Sequence, residues 1–148
     1  MSTLFTRIID GEIPGRFVWA DDRAVALTTI APITDGHALV VPRAEVDQLT
    51  EADDDLLAHL VVVAKAVGRA QRAAWQAPRA ALLVAGFEVP HLHLHVLPAW
   101  DESSLAFANA RQDVPSAQLD AAAERLRDAL RAQGDGARVP AALGSPAL

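Results

Sequence analysis

The stretch PHLHLHVLPAW, residues 90–100, places three histidines at alternate positions among apolar residues. The chain has five histidines, and His91, His93 and His95 are three of them. Because successive side chains of a β-strand point to opposite faces, a strand over residues 91–97 puts these three rings on one face and the intervening apolar side chains on the other. The apolar face predicts burial in a core. The histidine face predicts a row of imidazoles about 7 Å apart.

The residues before this stretch predict a short helix, three strands and a long helix. Ser2 or Thr3 caps the short helix in STLFTRIIDG. The segments GRFVWADD, AVALTTI and HALVVP are short and joined by brief turns, so they predict an antiparallel meander. Thr50 with Asp53 forms a capping box at the start of a long helix that runs to about residue 76. His59, on this helix, is expected to be solvated and is given no role.

The second half of the chain predicts two more strands and a final helix. The strands cover about residues 80–86 and 91–97, with a break at residues 86–90. Apolar residues then recur at helical spacing after a polar loop. The prediction is therefore a single α+β domain over residues 1–133, with its core in 4–100, a last helix over about 116–133 and a loosely held tail over 134–148.

Composition limits the classes of function. With 51% apolar and 22% charged residues, the chain is typical of a globular domain. A net charge of −6 argues against binding to nucleic acid through a basic surface. The absence of cysteine excludes disulfides, thiolate nucleophiles and cysteine-ligated zinc. The N-terminal residues lack the apolar region of a signal peptide, and no apolar run is long enough for a membrane span, so a cytoplasmic protein without membrane binding is expected.

Three readings of the histidine row stay open on the residues alone. The row could be the polar face of an edge strand, although Thr, Lys or Glu would serve that purpose as well. It could bind zinc through two histidines, with Glu88 or His37 supplying a further ligand. It could also perform nucleophilic catalysis at phosphorus, where a neutral imidazole attacks and its neighbours hydrogen-bond the phosphate.

The stretch HLHLHVLP is similar to the His-φ-His-φ-His-φ-φ motif of the histidine triad (HIT) family, where φ is apolar. Two further segments, FTRIIDGEIPGRFVWADD and IAPITDGHALVVPR, resemble family segments and stand in the matching order. The resemblance covers roughly residues 4–100. On this basis the chain is identified as a HIT family member, Hint-like or Fhit-like, of a divergent bacterial subgroup.

The resemblance implies a fold, a reaction and a set of catalytic residues. The fold is α+β, with a five-stranded antiparallel sheet, a long helix, and short N-terminal and C-terminal helices, usually in a homodimer. The reaction is hydrolysis or transfer on a nucleoside-phosphate–X substrate, of the phosphoramidase or dinucleoside polyphosphate hydrolase class. His93 would be the nucleophile that forms a nucleotidyl-histidine intermediate, and His95 would hydrogen-bond phosphate oxygen. His91 and His37 would orient and polarise the nucleophile.

The resemblance also implies the ligand and its contacts. The expected ligand is a purine nucleotide or a nucleoside phosphoramidate; no cofactor is required, and zinc would bind only adventitiously. Ile8 and Leu27 match base-contacting positions but fit a plain core role equally well. The full expected nucleotide-binding set is Phe5, Ile8, Ile13, Leu27, Thr29, Ile30, Gly86, Glu88 and Val89.

Three positions depart from the family pattern. Thr29 stands where an acidic residue commonly holds the ribose, and Phe87 and Glu88 replace the usual Gln and Ser. Glu88 could act as a general acid for the leaving group, or it could point away and bond Arg43 or Arg79. These changes keep two alternatives open, namely a nucleotide-binding regulatory protein with weak or no turnover and a zinc-binding protein.

Overall fold

The computed structural model describes residues 2–148. The first helix, α1, covers Leu4–Ile9 and begins at Thr3, whose side-chain oxygen accepts a hydrogen bond from the Thr6 N–H. This bond satisfies one of the amide groups that the first turn of a helix leaves without a partner. Phe5 and Ile8 are buried on the inner face of α1.

The five strands form one antiparallel sheet, as the family resemblance implies. The strands are β1 (Phe17–Ala20), β2 (Ala24–Thr28), β3 (Ala38–Pro42), β4 (Arg79–Val84) and β5 (Leu94–Ala99). Their order in the sheet is β1-β2-β3-β5-β4, and each pair of neighbours is antiparallel. The first three strands form a meander of buried residues. The chain then crosses to the far edge of the sheet, where β4 lies, and β5 returns between β3 and β4.

The long helix α2 (Asp54–Trp75) packs across the sheet. It approaches β4 closely at Gly68, where an added Cβ would lie 2.9 Å from the Cβ of Ala80. The helix ends at Gln76, which adopts a left-handed conformation with φ of 53°. No helix in residues 2–148 has the length and hydropathy needed to cross a membrane.

The C-terminal part differs from the sequence prediction in its tail. The last helix, α3, covers Ser116–Leu130, and a π-helical stretch, Arg131–Asp135, continues it until Gly134, with φ of 100°, interrupts the helical backbone. The expectation of a loosely held tail is wrong. The Phe17 N–H donates to Leu143 O at 2.8 Å, and the buried Arg127 donates to Pro140 O at 2.7 Å. These bonds attach the tail to β1 and α3.

The histidine-bearing strand begins later than predicted. β5 starts at Leu94 instead of residue 91, so His91 and His93 lie just before the strand. Hydrogen bonds to nearby loops replace sheet pairing there: the His91 N–H donates to Val89 O at 2.8 Å, and the Leu92 N–H donates to Val46 O at 2.7 Å.

The interpretation of His59 as a solvated residue is also wrong. Its Nε2 lies 2.8 Å from the carboxylate of Asp21, whose side chain is 4% exposed. The same carboxylate accepts hydrogen bonds from the Trp19 indole and from the amides of Arg23 and Ala24. These bonds lower the pKa of Asp21 despite the opposing effect of burial. His59 therefore helps to join α2 to the β1–β2 turn.

Candidate active site

A cavity of about 480 Å³ lies beside β5 and is called the histidine cavity below. Three of the four histidines expected to act in catalysis line it: His37, His93 and His95. Its walls come from the β2–β3 loop, the loop before the triad and the segment after β5. The remaining lining residues are Thr29, Ala31, Ala85, Gly86, Phe87, Glu88, Val89, Phe107, Ala110 and Gln112.

The bonds of His37 determine which nitrogen of His95 carries hydrogen. The Ile33 N–H donates to His37 Nδ1 at 3.1 Å, so this nitrogen is an acceptor. The hydrogen of neutral His37 is therefore on Nε2, which lies 2.9 Å from His95 Nδ1 and donates to it. His95 then carries its own hydrogen on Nε2. His95 is thus a neutral hydrogen-bond donor at the cavity.

The loop that carries His37 is fixed by two contacts with α2. Gly36 has φ of 82°, and an added Cβ there would lie 2.5 Å from the Trp75 ring, so a side chain would collide. The buried amide of Gln71 donates to Gly36 O at 2.9 Å and to Val96 O at 2.8 Å. One side chain therefore ties the long helix to both the His37 loop and β5.

His93 presents an unprotonated nitrogen when it is neutral. Its Nδ1 lies 2.7 Å from the backbone oxygen of His91, and a carbonyl oxygen can only accept, so Nδ1 carries the hydrogen. Nε2 keeps its lone pair. The His93 ring lies 5.1 Å from the His95 ring and 4.9 Å from the Phe5 ring, between centroids. The arrangement is that of an oriented nitrogen nucleophile next to a hydrogen-bond donor.

Burial keeps these imidazoles neutral. Burial, with the neighbouring His95, lowers the pKa of His37 to about 3. Burial, with the neighbouring His93, also lowers the pKa of His95 to about 4. The pKa of His93 is lowered by burial too, although the bond to His91 O and the charge of Glu88 oppose this shift. Neutral rings at neutral pH are what the tautomers above require.

His91 contributes its backbone oxygen to the site, and its ring lies away from the cavity. The ring is fully buried. Its Nε2–H donates to Pro42 O at 2.8 Å, which leaves Nδ1 to accept from the Thr3 hydroxyl at 2.6 Å. The Glu45 carboxylate holds Thr3 in turn, accepting from its backbone N–H at 3.0 Å. Sequence reasoning missed Thr3 and Glu45, because only the helix-capping role of Thr3 is visible in the sequence.

The expected nucleotide-binding residues occupy three different environments. Thr29, Gly86, Glu88 and Val89 line the histidine cavity. Ile30 is 70% exposed. The other four belong to or pack against a buried cluster between α1 and the sheet; they are Phe5, Ile8, Ile13 and Leu27. Only Phe5 of these four has a ring contact with the triad.

Glu88 and its neighbours form an exposed rim of the cavity. Phe87 is 97% exposed, and Gly86 has φ of 84°, a conformation that favours glycine. Within residues 2–148 Glu88 makes no ion pair. Arg43, one of its two expected partners, donates instead to Asp21 O at 2.9 Å. The alternative in which Glu88 points away to bond an arginine is therefore wrong.

The segment after β5 supplies cavity residues that sequence reasoning missed. Phe107 packs against the His95 ring at 4.9 Å between centroids, and Ala110 and Gln112 line the same side. An aromatic residue in an otherwise polar segment was the available signal. As for metals, residues 2–148 hold no cluster of three or more His, Asp or Glu side chains that could bind one.

Comparison with known proteins gives consistent matches. The model of the HIT domain family matches residues 10–102. An uncharacterized HIT-like protein of Mycobacterium tuberculosis is 34% identical over 138 residues, which are 90% of this chain and 96% of that protein. A crystal structure of a zinc-bound histidine triad family protein from Mycobacterium smegmatis is 29% identical, with a TM-score of 0.77 over 93% of this chain and 99% of that one.

A further solved structure is similar over most of its length. It is a hypothetical histidine triad nucleotide-binding protein from Sulfolobus tokodaii, 29% identical, with a TM-score of 0.76 over 86% of this chain and 91% of that chain.

Proposed function

Because this chain belongs to the HIT domain family, we propose that it is a nucleotide hydrolase or transferase that cleaves a nucleoside-phosphate–X bond through a nucleotidyl intermediate on His93. The observation that carries the proposal is the orientation of this ring. His93 Nδ1–H is bonded to the His91 backbone oxygen, and the ring lines a cavity of about 480 Å³. A neutral Nε2 with a free lone pair is therefore available to attack phosphorus.

In the first half-reaction the Nε2 lone pair of His93 attacks the phosphorus bonded to the nucleoside. A nitrogen–phosphorus bond forms, and the phosphorus–X bond breaks with its electron pair going to X, which takes a proton from solvent. His95 Nε2–H stabilises the negative charge on the phosphate oxygens as a hydrogen-bond donor. The His37–His95 bond of 2.9 Å keeps this hydrogen on the correct nitrogen.

In the second half-reaction a water oxygen attacks the phosphorus. The nitrogen–phosphorus bond breaks, its electron pair returns to His93 Nε2, and the water gives up a proton to solvent. The sum is substrate plus water giving nucleotide plus HX. An acceptor other than water would make the same intermediate a transferase intermediate. The backbone amides of the loop at Gly86, Glu88 and Val89, which borders the cavity, are candidates for further phosphate contacts.

The expected ligand is a purine nucleotide or a nucleoside phosphoramidate. The apolar residues left accessible for a base are Ile30, which is 70% exposed, and the half-buried Ile13 and Val89. We assign Ile8 and Leu27 to the core, because both are buried in the cluster beneath α1. Thr29 offers the ribose only a hydroxyl, and that hydroxyl already accepts from the Ala31 N–H at 3.2 Å.

A second candidate is a nucleotide-binding protein with weak or no turnover. Glu88 favours it, since a carboxylate at the rim of the cavity repels an anionic phosphate. The zinc-binding alternative has less support, because hydrogen bonds within the protein occupy both ring nitrogens of His37, one of its expected ligands.

The test is a comparison of wild type with His93→Ala and His93→Gly, on adenosine phosphoramidate and diadenosine tetraphosphate. Both variants should lose hydrolysis by at least about a thousandfold and still bind adenosine monophosphate. His59→Ala, a histidine substitution away from the cavity, is the matched control and should retain activity. Mass spectrometry of the quenched wild-type reaction should detect nucleotide bound to the protein.

Three outcomes would contradict parts of this proposal. Turnover in His93→Ala equal to wild type would exclude His93 as the nucleophile. A wild type that binds nucleotide without turnover would establish the second candidate. Activity abolished by EDTA and restored by zinc would indicate a metal centre instead.

We also propose that the protein is a homodimer that pairs through β4 and α2. β4 is an edge strand of the sheet, where backbone groups lack a neighbour. Apolar side chains are exposed on it and beside it: Leu82 at 45% and Val84 at 37% on β4, and Val61 at 42% on α2. A second copy would cover this face. A cytoplasmic location stays a prediction, as does the absence of nucleic-acid or membrane partners, which rests on the net charge of −6.

A further inference from the structure

One wall of the histidine cavity comes from residues beyond the part of the chain that the HIT domain family matches. The match ends at residue 102, and Phe107, Ala110 and Gln112 line the cavity. These three residues are called the outer wall below. The family match therefore assigns the outer wall no role. The role of these residues follows from their own contacts.

The outer wall is attached to the loop that carries His37. The Arg111 backbone N–H donates to Pro32 O at 3.0 Å, and its guanidinium donates to the Asp35 carboxylate at 2.7 Å. A further bond within the segment joins the Asn109 side chain to Ser103 O at 2.9 Å. The outer wall thus has a defined position before any ligand binds, as a specificity surface requires.

The rings form a series across the site. Between centroids, Phe5 lies 4.9 Å from His93, His93 lies 5.1 Å from His95, and His95 lies 4.9 Å from Phe107. Phe5 is buried at 4% exposure and does not line the cavity, so Phe107 is the ring of this series that a ligand can reach. Because the base is expected against Ile13, Ile30 and Val89, Phe107 remains for the group X.

The chemistry of the outer wall restricts what X can be. Phe107 is 45% exposed, so its ring offers an apolar surface, and Phe87, at 97% exposure, adds a second ring to the cavity lining. Gln112 adds a side-chain amide, which makes no hydrogen bond to the other residues described. No Lys or Arg is among the lining residues, and Glu88 is the one carboxylate. An additional negative charge on X would therefore meet repulsion without compensation.

We propose that Phe107 and Gln112 form the leaving-group subsite and select a flat, apolar X without negative charge, and Arg111 is the positioning residue that holds them. The proposal rests on the proposed function and names the class of X within it. Stacking on Phe107 favours a planar group. The amide of Gln112 binds a polar atom at its edge.

The experiment uses three substrates that share adenosine monophosphate and differ in X: ammonia, phenethylamine and a nucleotide, the last as diadenosine tetraphosphate. The quantity measured is the ratio of kcat/KM for the phenethylamine amide to kcat/KM for the ammonia amide. Phe107→Ala should lower this ratio by about tenfold, the factor expected for losing one aromatic contact. Leu105→Ala, an exposed apolar residue of the same segment outside the cavity, should leave the ratio unchanged.

Arg111 and Gln112 are tested on the same substrates. Arg111→Ala should lower the ratio as Phe107→Ala does, and Arg111→Lys should restore part of it, because a lysine can still reach Asp35. Gln112→Glu should weaken the diadenosine tetraphosphate reaction more than either amide reaction, since it adds a second carboxylate to the cavity.

Two results would overturn the inference while leaving the proposed function intact. One is an equal loss on all three substrates in Phe107→Ala, which would make the outer wall a purely structural element. The other is a wild type that prefers diadenosine tetraphosphate to the phenethylamine amide. If the wild type turns over none of the substrates, the proposed function fails instead. Calorimetric affinities of the two amides then decide the inference, and equal affinities for wild type and Phe107→Ala would refute it.

Discussion

Replacing Thr3 with valine should disturb both the stability of the protein and the orientation of the nucleophile. The Thr3 hydroxyl donates to His91 Nδ1 at 2.6 Å, and its oxygen accepts from the Thr6 N–H at 3.2 Å. The Thr6 hydroxyl oxygen also lies 3.2 Å away. Valine keeps the shape of threonine and removes the bonds to His91 and to the Thr6 N–H, together with this third contact. The effect reaches the site because the His91 backbone oxygen accepts the hydrogen of His93 Nδ1.

The magnitude follows from the two lost bonds. His91 is fully buried, so an unpaired Nδ1 costs about 1–3 kcal/mol. Loss of the helix cap adds about 1 kcal/mol. Thr3→Val should therefore lower the free energy of unfolding by about 2–4 kcal/mol. It should also lower kcat by about tenfold through a displaced nucleophile, with KM nearly unchanged.

The assay is urea unfolding together with nitrogen NMR of the histidine rings. Thr3→Ser keeps both bonds and should restore stability, kcat and the His93 Nδ1–H tautomer. Thr6→Val removes the hydroxyl that donates to Glu45 at 2.7 Å and lies 3.2 Å from the Thr3 hydroxyl, and it keeps the bonds of Thr3 to His91 and to the backbone N–H of residue 6. It should cost less than about 1 kcal/mol and leave the tautomer intact. A Thr3→Val protein with the stability of Thr6→Val and an unchanged His93 spectrum would refute the reasoning.

Three further predictions concern stability and assembly. The folded pKa values of His37, about 3, and His95, about 4, lie below the value of about 6.5 in an unfolded chain, so the unfolded state binds protons first as the pH falls. The free energy of unfolding should be at its full value above about pH 6.5 and should decrease as the pH falls toward about 4. A constant urea midpoint across this range would contradict the burial argument. Asp21→Ala should lower the unfolding free energy by about 3 kcal/mol, because four donors lose a buried carboxylate, whereas His59→Ala should cost about 1 kcal/mol; equal losses would show that His59 is the principal partner. Leu82→Lys should shift the protein to a monomer in analytical ultracentrifugation, and a monomeric wild type would exclude the dimer.

Local sequence patterns were sufficient for most of the secondary structure. The cap at Thr3, the apolar run in HALVVP and the helical spacing before Pro78 each act over a few residues, and α1, β3 and α2 follow from them. The five-stranded antiparallel sheet, which the family resemblance implies, is confirmed. Element ends were less accurate, because tertiary bonds set them: β5 starts at Leu94 since the backbone before it bonds to Val46 and Val89.

The tail and the outer wall show where local patterns fail. Residues 134–148 are rich in Gly, Pro and Ala, which predicts loose structure, yet bonds from Phe17 and Arg127 hold them. Arg127 is 110 residues from its other acceptor, Phe17 O, so no local pattern could reveal the pairing. The same holds for Phe107, whose contact with His95 depends on how the segment after β5 folds back.

The sequence by itself determined that three imidazoles lie close together along the chain and that the helices and strands around them would form, because periodicity and backbone sterics are properties of neighbouring residues. Only the tertiary structure decided which nitrogen of each ring carries hydrogen. The groups that decide it for His91 are Thr3 and Pro42, which are 88 and 49 residues away. A ring nitrogen takes its role from the donor or acceptor that faces it, and folding brings that group into place.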